Sequence, residues 1–220
     1  MDAFLKNGKG LLLAYDQGFE HGPSTDFNEK NIDPNYILDI ALKGQFTGVV
    51  FHKGIAEKYY SGKIPLIIKL NGKTSLPKGE PISSQVCSVE EALSLGAKYP
   101  RGEAVKNDTA PEIVSYAARA GLEIGADAVK IKYTGDPTSF AWAVKAAGLA
   151  KVFMSGGPKA PTDETFLNQV KGAMDGGATG LAVGRNVWQH ADPLKMASAL
   201  REIIFNGREV HHALNMVVAQ

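Results

Sequence analysis

The chain has 220 residues, of which 44% are hydrophobic and 21% charged, a balance that fits one globular domain, 1–220, with a sizeable core. With 24 basic against 23 acidic residues the net charge is +1, so no general field holds nucleic acid or an anionic membrane surface. The single cysteine, Cys87, excludes an internal disulfide framework and suits a reducing cytoplasm, and no secretory pattern or membrane-length apolar run is present.

Short apolar runs alternate with longer helix-patterned segments, the signature of βα units and a parallel sheet. Residues 10–15 (GLLLAY) read as the first strand, which ends in Asp16. A helix over 34–42, a strand over 48–52, a short helix over 55–60 and a strand over 65–70 follow. Ser88 opens another helix as its N-cap, with Glu91 at the capping-box position. The second half predicts helices over 110–124, 138–147, 166–174 and 193–205, and strands over 128–133, 151–155 and 180–183. Phe140 and Trp142 read as helix packing residues, and His211 and His212 as a solvated pair near a frayed C-terminus. No Cys/His cluster has metal-ligand spacing.

Three helices end on Gly-Ala pairs, at 96–97, 125–126 and 177–178, where glycine suits a left-handed cap before the next strand. After Gly96, however, only Ala97, Lys98 and Tyr99 precede the turn residues Pro100, Arg101 and Gly102, too few for an ordinary strand. Six strands and one stub are therefore legible where a complete (β/α)₈ barrel needs eight and typically takes about 250 residues.

The strand over 128–133 carries two lysines. Side chains alternate faces along a strand, so Ala128, Lys130 and Lys132 point one way and Val129, Ile131 and Tyr133 the other. Both faces of a parallel sheet are covered, and an unpaired ammonium is costly to remove from water. Lys132, nearer the open end, either snorkels to water or shares the chemistry of Lys130 as a cation that favours a neutral, nucleophilic amine there.

Barrel active sites are built at the C-terminal ends of strands. Asp16, Gln17 and His21 follow the first strand, and Lys53 follows the second. Ser155, Gly156, Gly157, Pro158 and Lys159 join a strand to a helix beginning near Thr162 or Asp163, and Gly184 and Arg185 follow the last strand. Glycines let backbone amides approach an anion, and the loops after the last two barrel strands recurrently hold phosphate, to which Arg185 would add a fork of donors. A lysine able to attack a carbonyl, a strand-end carboxylate and a phosphate cradle suggest Schiff-base chemistry on a sugar phosphate.

On these residues the chain resembles the archaeal-type class I fructose-bisphosphate aldolases, among the DeoC/LsrF-like Schiff-base aldolases. The matching motifs are AYDQGFEHGP (14–23), VVFHKG (49–54), YPRG (99–102), ADAVKIKYTGD (126–136), SGGPK (155–159) and VGRNVWQ (183–189). The resemblance implies a TIM (β/α)₈-type barrel, Lys130 as the Schiff-base lysine, Tyr99 as acid/base residue and Asp16 as an orienting or proton-relaying carboxylate. It implies substrate contacts from Gln17, His21, Lys53 and Arg101, and a phosphate site from Ser155, Gly156, Gly157, Gly184 and Arg185. It implies no metal and no cofactor, a sugar phosphate as partner, and a cytoplasmic homo-oligomer of the kind that in relatives is often a decamer. Against those relatives about one βα unit is missing between Gly96 and Tyr99, roughly thirty or more residues. Two other readings stay open: a related transaldolase-, transketolase- or thiolase-like enzyme on another phosphorylated keto-sugar, and a catalytically impaired sugar-phosphate-binding deletion variant.

Overall fold

The structure, a computed structural model, describes residues 1–20, 22, 25–72, 84–85 and 107–218. The helix expected from Ser88, the stub at 97–99 and Cys87 lie outside these residues. A 3-10 turn at Asp2–Phe4 precedes β1 (Gly10–Tyr15), α1 (Gln17–Glu20), α2 (Pro34–Lys43), β2 (Gly48–His52), α3 (Lys53–Tyr59) and β3 (Leu66–Lys69). A small antiparallel pair follows, β4 (Asn71–Gly72) and β5 (Ser84–Gln85), which the sequence pattern did not suggest. The chain continues through α4 (Pro111–Glu123), β6 (Ala128–Ile131), α5 (Pro137–Ala146), β7 (Lys151–Ser155) and α6 (Asp163–Asp175). It ends with β8 (Gly180–Val183), α7 (Arg185–Trp188), α8 (Pro193–Asn206) and α9 (Val210–Val218).

Three of these helices begin in the same way. Asp33, Asp136 and Asp192 each accept a hydrogen bond from a backbone amide of the first turn, and each is followed by proline, whose fixed φ suits the first helical position. Gly125 and Gly177 take φ of +87° and +92°, the left-handed conformation expected where a helix turns into the next strand.

Six strands form one parallel sheet in the order β3-β2-β1-β8-β7-β6. In a closed barrel the first and last strands pair, and here β1 lies against β8 with Gly10 opposite Gly180 and Leu13 opposite Val183. The seam of the barrel is thus made. Among the described residues the sheet is instead open on the opposite side, between β3 and β6, which is where the sequence lacks a βα unit.

The two faces divide by the period of two. Leu11, Leu13, Val49, Phe51, Val129, Ile131, Val152, Met154, Leu181 and Val183 belong to a large core shared with the helices. Leu12, Ile67, Ala128, Phe153 and Ala182 point to the inner face, where Met1, Phe4 and Leu5 pack against them from below. A Cβ on Gly10 would meet the Phe153 ring at 2.7 Å and one on Gly48 the Phe4 ring at 2.8 Å, so glycine at these inner positions makes room for the plug.

Three expectations are corrected. β6 stops at Ile131, whose partner is Met154, rather than running to Tyr133, so Lys132 lies beyond the ladder. The C-terminus is not frayed over 210–218: α9 buries Ala213 and sets Val210, Leu214 and Val217 against the core, while His211 and His212 are exposed as expected. Phe140 is fully buried, but Trp142 is 60% exposed, with the Lys145 ammonium 5.5 Å from its ring centroid.

Candidate active site

One layer above the apolar floor, the inner face turns polar. Ile67 belongs to the floor, so Lys69, two residues on, faces the same way at the end of β3. Leu12 places Asp16 on that face in the same manner, four residues on. The register pairs Tyr15 with Phe51 and His52 with Lys69, and its next step sets Asp16 beside His52. Asp16, His52 and Lys69 thus form a row across three strand ends. The Lys69 ammonium lies 2.7 Å from Asp16 Oδ2, with side-chain exposures of 18% and 9%.

Lys130 enters from β6, two residues above Ala128 of the floor. It is half-buried, and its ammonium is close enough to act on Asp16. Burial alone would raise the Asp16 pKa; the charges of Lys69 and Lys130, the Lys69 hydrogen bond and His52 together overcome it and hold the carboxyl below its ordinary value. Asp16 is therefore a carboxylate at neutral pH, an acceptor for hydroxyl protons rather than a donor. Beside it, the Gln17 side chain is buried and its Oε1 accepts from the Asp16 amide at 3.2 Å.

Lys132 does not join this group as the cation of the expected pair. Its ammonium donates to Asp108 Oδ2 at 2.5 Å, a residue just before α4, and the two side chains are 27% and 36% exposed. Its charge is thereby compensated at the rim. Lys53 starts α3, with Glu57 at 3.8 Å. His21, Tyr99 and Arg101 lie outside the described residues.

The two glycine loops are fastened together by a residue not singled out from the sequence. Asn186, 5% exposed, donates from Nδ2 to the carbonyls of Gly156 and Pro158 at 2.8 Å each, and its Oδ1 accepts from the Ala160 amide at 2.8 Å. Within the first loop the amides divide their labour. Ser155 closes β7; the Gly156 amide extends the ladder by donating to Ala182 at 2.9 Å, and a Cβ there would meet Val183 at 3.0 Å. Gly157, at φ +65°, turns the chain outward. Gly184 caps α7, and a Cβ there would meet the Ala14 carbonyl at 2.9 Å and Gln17 Nε2 at 3.0 Å. The Trp188 indole ties the same turn to β1 through the Ala14 carbonyl at 3.1 Å.

Arg185 is largely buried, with Nη1 3.5 Å from Asp26 Oδ2. Its Nε is buried without a hydrogen-bond partner among the described residues, a donor held out of water at the mouth of the two loops. Asp26 is gripped a second time, by Gln189 Nε2 donating to its carbonyl at 2.9 Å. No group of three or more metal-ligating side chains occurs among the described residues, and no helix among them is long and apolar enough to cross a membrane.

A parallel α/β barrel sheet with a lysine, a carboxylate and two glycine loops at the C-terminal ends of its strands defines a barrel enzyme of the carbonyl-chemistry type. The sequence profile of DeoC/LacD family aldolases matches residues 11–99 and 97–190. The chain belongs to this family. It is 51% identical to the class 1 fructose-bisphosphate aldolase of Thermoproteus tenax, covering 97% of this chain and 96% of the relative, and 38% identical to that of Halobacterium salinarum, covering 96% of each. Among solved structures it is similar to an archaeal fructose-1,6-bisphosphate aldolase with its catalytic lysine covalently bound to the carbinolamine intermediate (50% identity, TM-score 0.88, 93% of this chain and 97% of that one). It is also similar to a Schiff-base-forming fructose-1,6-bisphosphate aldolase analysed through its reaction intermediates (52% identity, TM-score 0.87, 92% and 97%).

These comparisons locate the missing unit independently. The family profile matches in two pieces that meet at 97–99. The Thermoproteus alignment runs over 253 residues although this chain has 220, so at least 33 positions of the relative have no counterpart here. The fold is an incomplete (β/α)₈ barrel.

Proposed function

We propose that the chain is a class I, Schiff-base aldolase that reversibly cleaves fructose 1,6-bisphosphate to dihydroxyacetone phosphate and glyceraldehyde 3-phosphate. The observation that carries this reading is the grouping of Lys130 with the ionised Asp16 at the C-terminal ends of the strands, in a chain about half identical to class I enzymes of that name.

In this reading the neutral Lys130 amine attacks the C2 ketone of the open-chain sugar, and the carbinolamine loses water to give an iminium. The C3–C4 bond breaks with its electron pair drawn towards the iminium nitrogen, and glyceraldehyde 3-phosphate leaves. Protonation at C3 and hydrolysis then release dihydroxyacetone phosphate and restore Lys130. Tyr99 takes the C4 hydroxyl proton and returns one to C3. Asp16, an acceptor at neutral pH, orients a substrate hydroxyl and offsets the positive charge of the iminium. Gln17, His21, Lys53 and Arg101 contact substrate. Ser155, Gly156, Gly157, Gly184 and Arg185 form the site for the phosphate remote from the cleaved bond, with the buried Arg185 Nε as one donor; Gly156 contributes only the close approach its missing side chain allows, because its amide donates to Ala182. Neither metal nor cofactor takes part, since the iminium is the electron sink. The enzyme works as a homo-oligomer in the cytoplasm.

A second reading is favoured by one observation: at least 33 positions of the relative have no counterpart here, and the family profile divides at 97–99, beside Tyr99. It makes the chain a sugar-phosphate binder whose lysine condenses with a ketone but does not complete cleavage. Trapping and turnover, measured together, separate the two. Borohydride reduction in the presence of dihydroxyacetone phosphate, followed by peptide mapping, gives an adduct on Lys130 in both. Release of triose phosphate from fructose 1,6-bisphosphate occurs only in the first. An adduct elsewhere, or none, overturns both.

A further inference from the structure

The chemistry proposed above needs Lys130 as a neutral amine, yet a buried carboxylate whose charge it feels, Asp16, works against it by favouring the ammonium form of a lysine beside it. Resting on that reading of Lys130, we propose that Lys69 is a positioning residue: by holding Asp16 at 2.7 Å it keeps that carboxylate from pairing with Lys130, and so sets the pH above which Lys130 is nucleophilic.

Three observations carry this. Lys69 is on the inner face by the same alternation that brings in Lys130, because Ile67 and Ala128 lie together in the apolar floor two residues below each. It stands in one row with His52 and Asp16 across β3, β2 and β1, so strand pairing rather than a flexible side chain delivers it. Among the described residues, the charged and titratable groups acting on Asp16 are Lys69 from β3, Lys130 from β6 and His52 from β2, and the first of these makes the hydrogen bond. The other candidate for a modulating cation, Lys132, is bound to Asp108 at the rim. A carboxylate between two ammonium groups leans on the nearer; take that one away and its field falls on the other.

The test is the pH dependence of borohydride trapping with dihydroxyacetone phosphate, scored as the fraction of Lys130 modified. In Lys69→Met the pH at half-maximal trapping moves up by about 1–3 units, the size of the effect of one close opposite charge on a titrating group. Lys69→Arg keeps the midpoint near that of the unsubstituted chain. A buried pair that loses one member can fail to fold, so the double variant D16N/K69M, which removes both charges, is measured as well. Its midpoint does not rise, because the carboxylate that would capture Lys130 is gone. A Lys69→Met protein that traps more slowly at every pH with an unmoved midpoint has lost only structure, and overturns the proposal. A raised midpoint in D16N/K69M overturns it too. An unsubstituted chain that forms no adduct at Lys130 instead brings down the aldolase reading on which the proposal stands.

Discussion

Asn186 Nδ2 donates to the carbonyl oxygens of both Gly156 and Pro158, at 2.8 Å each, from a side chain 5% exposed to solvent. One carboxamide therefore locks the loop after β7 to the turn after β8, the two segments proposed to hold the substrate phosphate. Replacement by alanine would take this partner from the buried Gly156 carbonyl and from the Pro158 carbonyl and Ala160 amide, which are nearer to water. A buried group left unpaired costs about 1–3 kcal/mol, so Asn186→Ala is expected to lower stability by about that much in chemical denaturation. In protein that still folds, KM for the bisphosphate rises while trapping of Lys130 by a ketone lacking phosphate, such as dihydroxyacetone, changes little. Equal losses with both ketones would place the effect outside the phosphate cradle.

Asp16 makes a pH prediction with a definite sign. Its folded-state pKa lies below the ordinary carboxylate value, because Lys69, Lys130 and His52 outweigh the opposing effect of burial. Its contribution to stability is thus fully present above the unfolded value of about 3.9 and is lost as pH falls through the lower folded value. Urea unfolding between about pH 5 and pH 2 should show a stability that falls less steeply in Asp16→Asn, by up to one proton taken up on unfolding. At neutral pH the same variant leaves the Lys69 ammonium without this partner and is destabilised by about 3–5 kcal/mol. Parallel pH curves for the two proteins would contradict the assignment.

The rim pair behaves differently. Lys132 and Asp108 are each more than a quarter exposed, and such pairs contribute about 0–1 kcal/mol. Lys132→Met should unfold within about 1 kcal/mol of the unsubstituted chain, keep its adduct on Lys130, and leave the trapping midpoint where it was. A midpoint that moves in Lys132→Met would restore Lys132 as the controlling cation.

Tyr15 gives an alkaline counterpart. Its hydroxyl donates to the Asn31 carbonyl at 2.7 Å, and burial, followed by the charge of Asp33, pushes its pKa up to about 12. The folded state keeps this proton when the unfolded chain, with a tyrosine value of about 10, has lost it. Stability from Tyr15 is therefore complete below about pH 10 and declines as pH rises towards 12. Ultraviolet titration should show at least two more tyrosines ionising near pH 10 to 11 in a urea-unfolded sample than in the native one, Tyr15 and Tyr133, whose pKa burial also raises. Ionisation of Tyr15 with the exposed tyrosines would contradict the burial argument.

Much of this protein was legible before any coordinates. The alternation of apolar runs with helix-period segments set out six strands in parallel βα units, because burial on both faces forces short apolar strands, and the Gly-Ala pairs at 125–126 and 177–178 mark where α4 and α6 turn. The short passage from Gly96 to Tyr99 showed the missing unit by length alone, since a strand cannot fit in so few residues. The period of two also aimed Lys130 inward. What the pattern could not decide was which charges meet. Lys69 sits in an apolar run as Lys130 does, and that signal was there to be read, but its pairing with Asp16, 53 residues away, depends on the register of three strands. Lys132 looked like the companion of Lys130 because alternation places it on the same face; the tertiary structure ends the ladder at Ile131 and gives Lys132 to Asp108. Local periodicity determines which way a side chain points. Which partner it finds there is decided by strand register and by where each ladder stops, and both are properties of the assembled sheet.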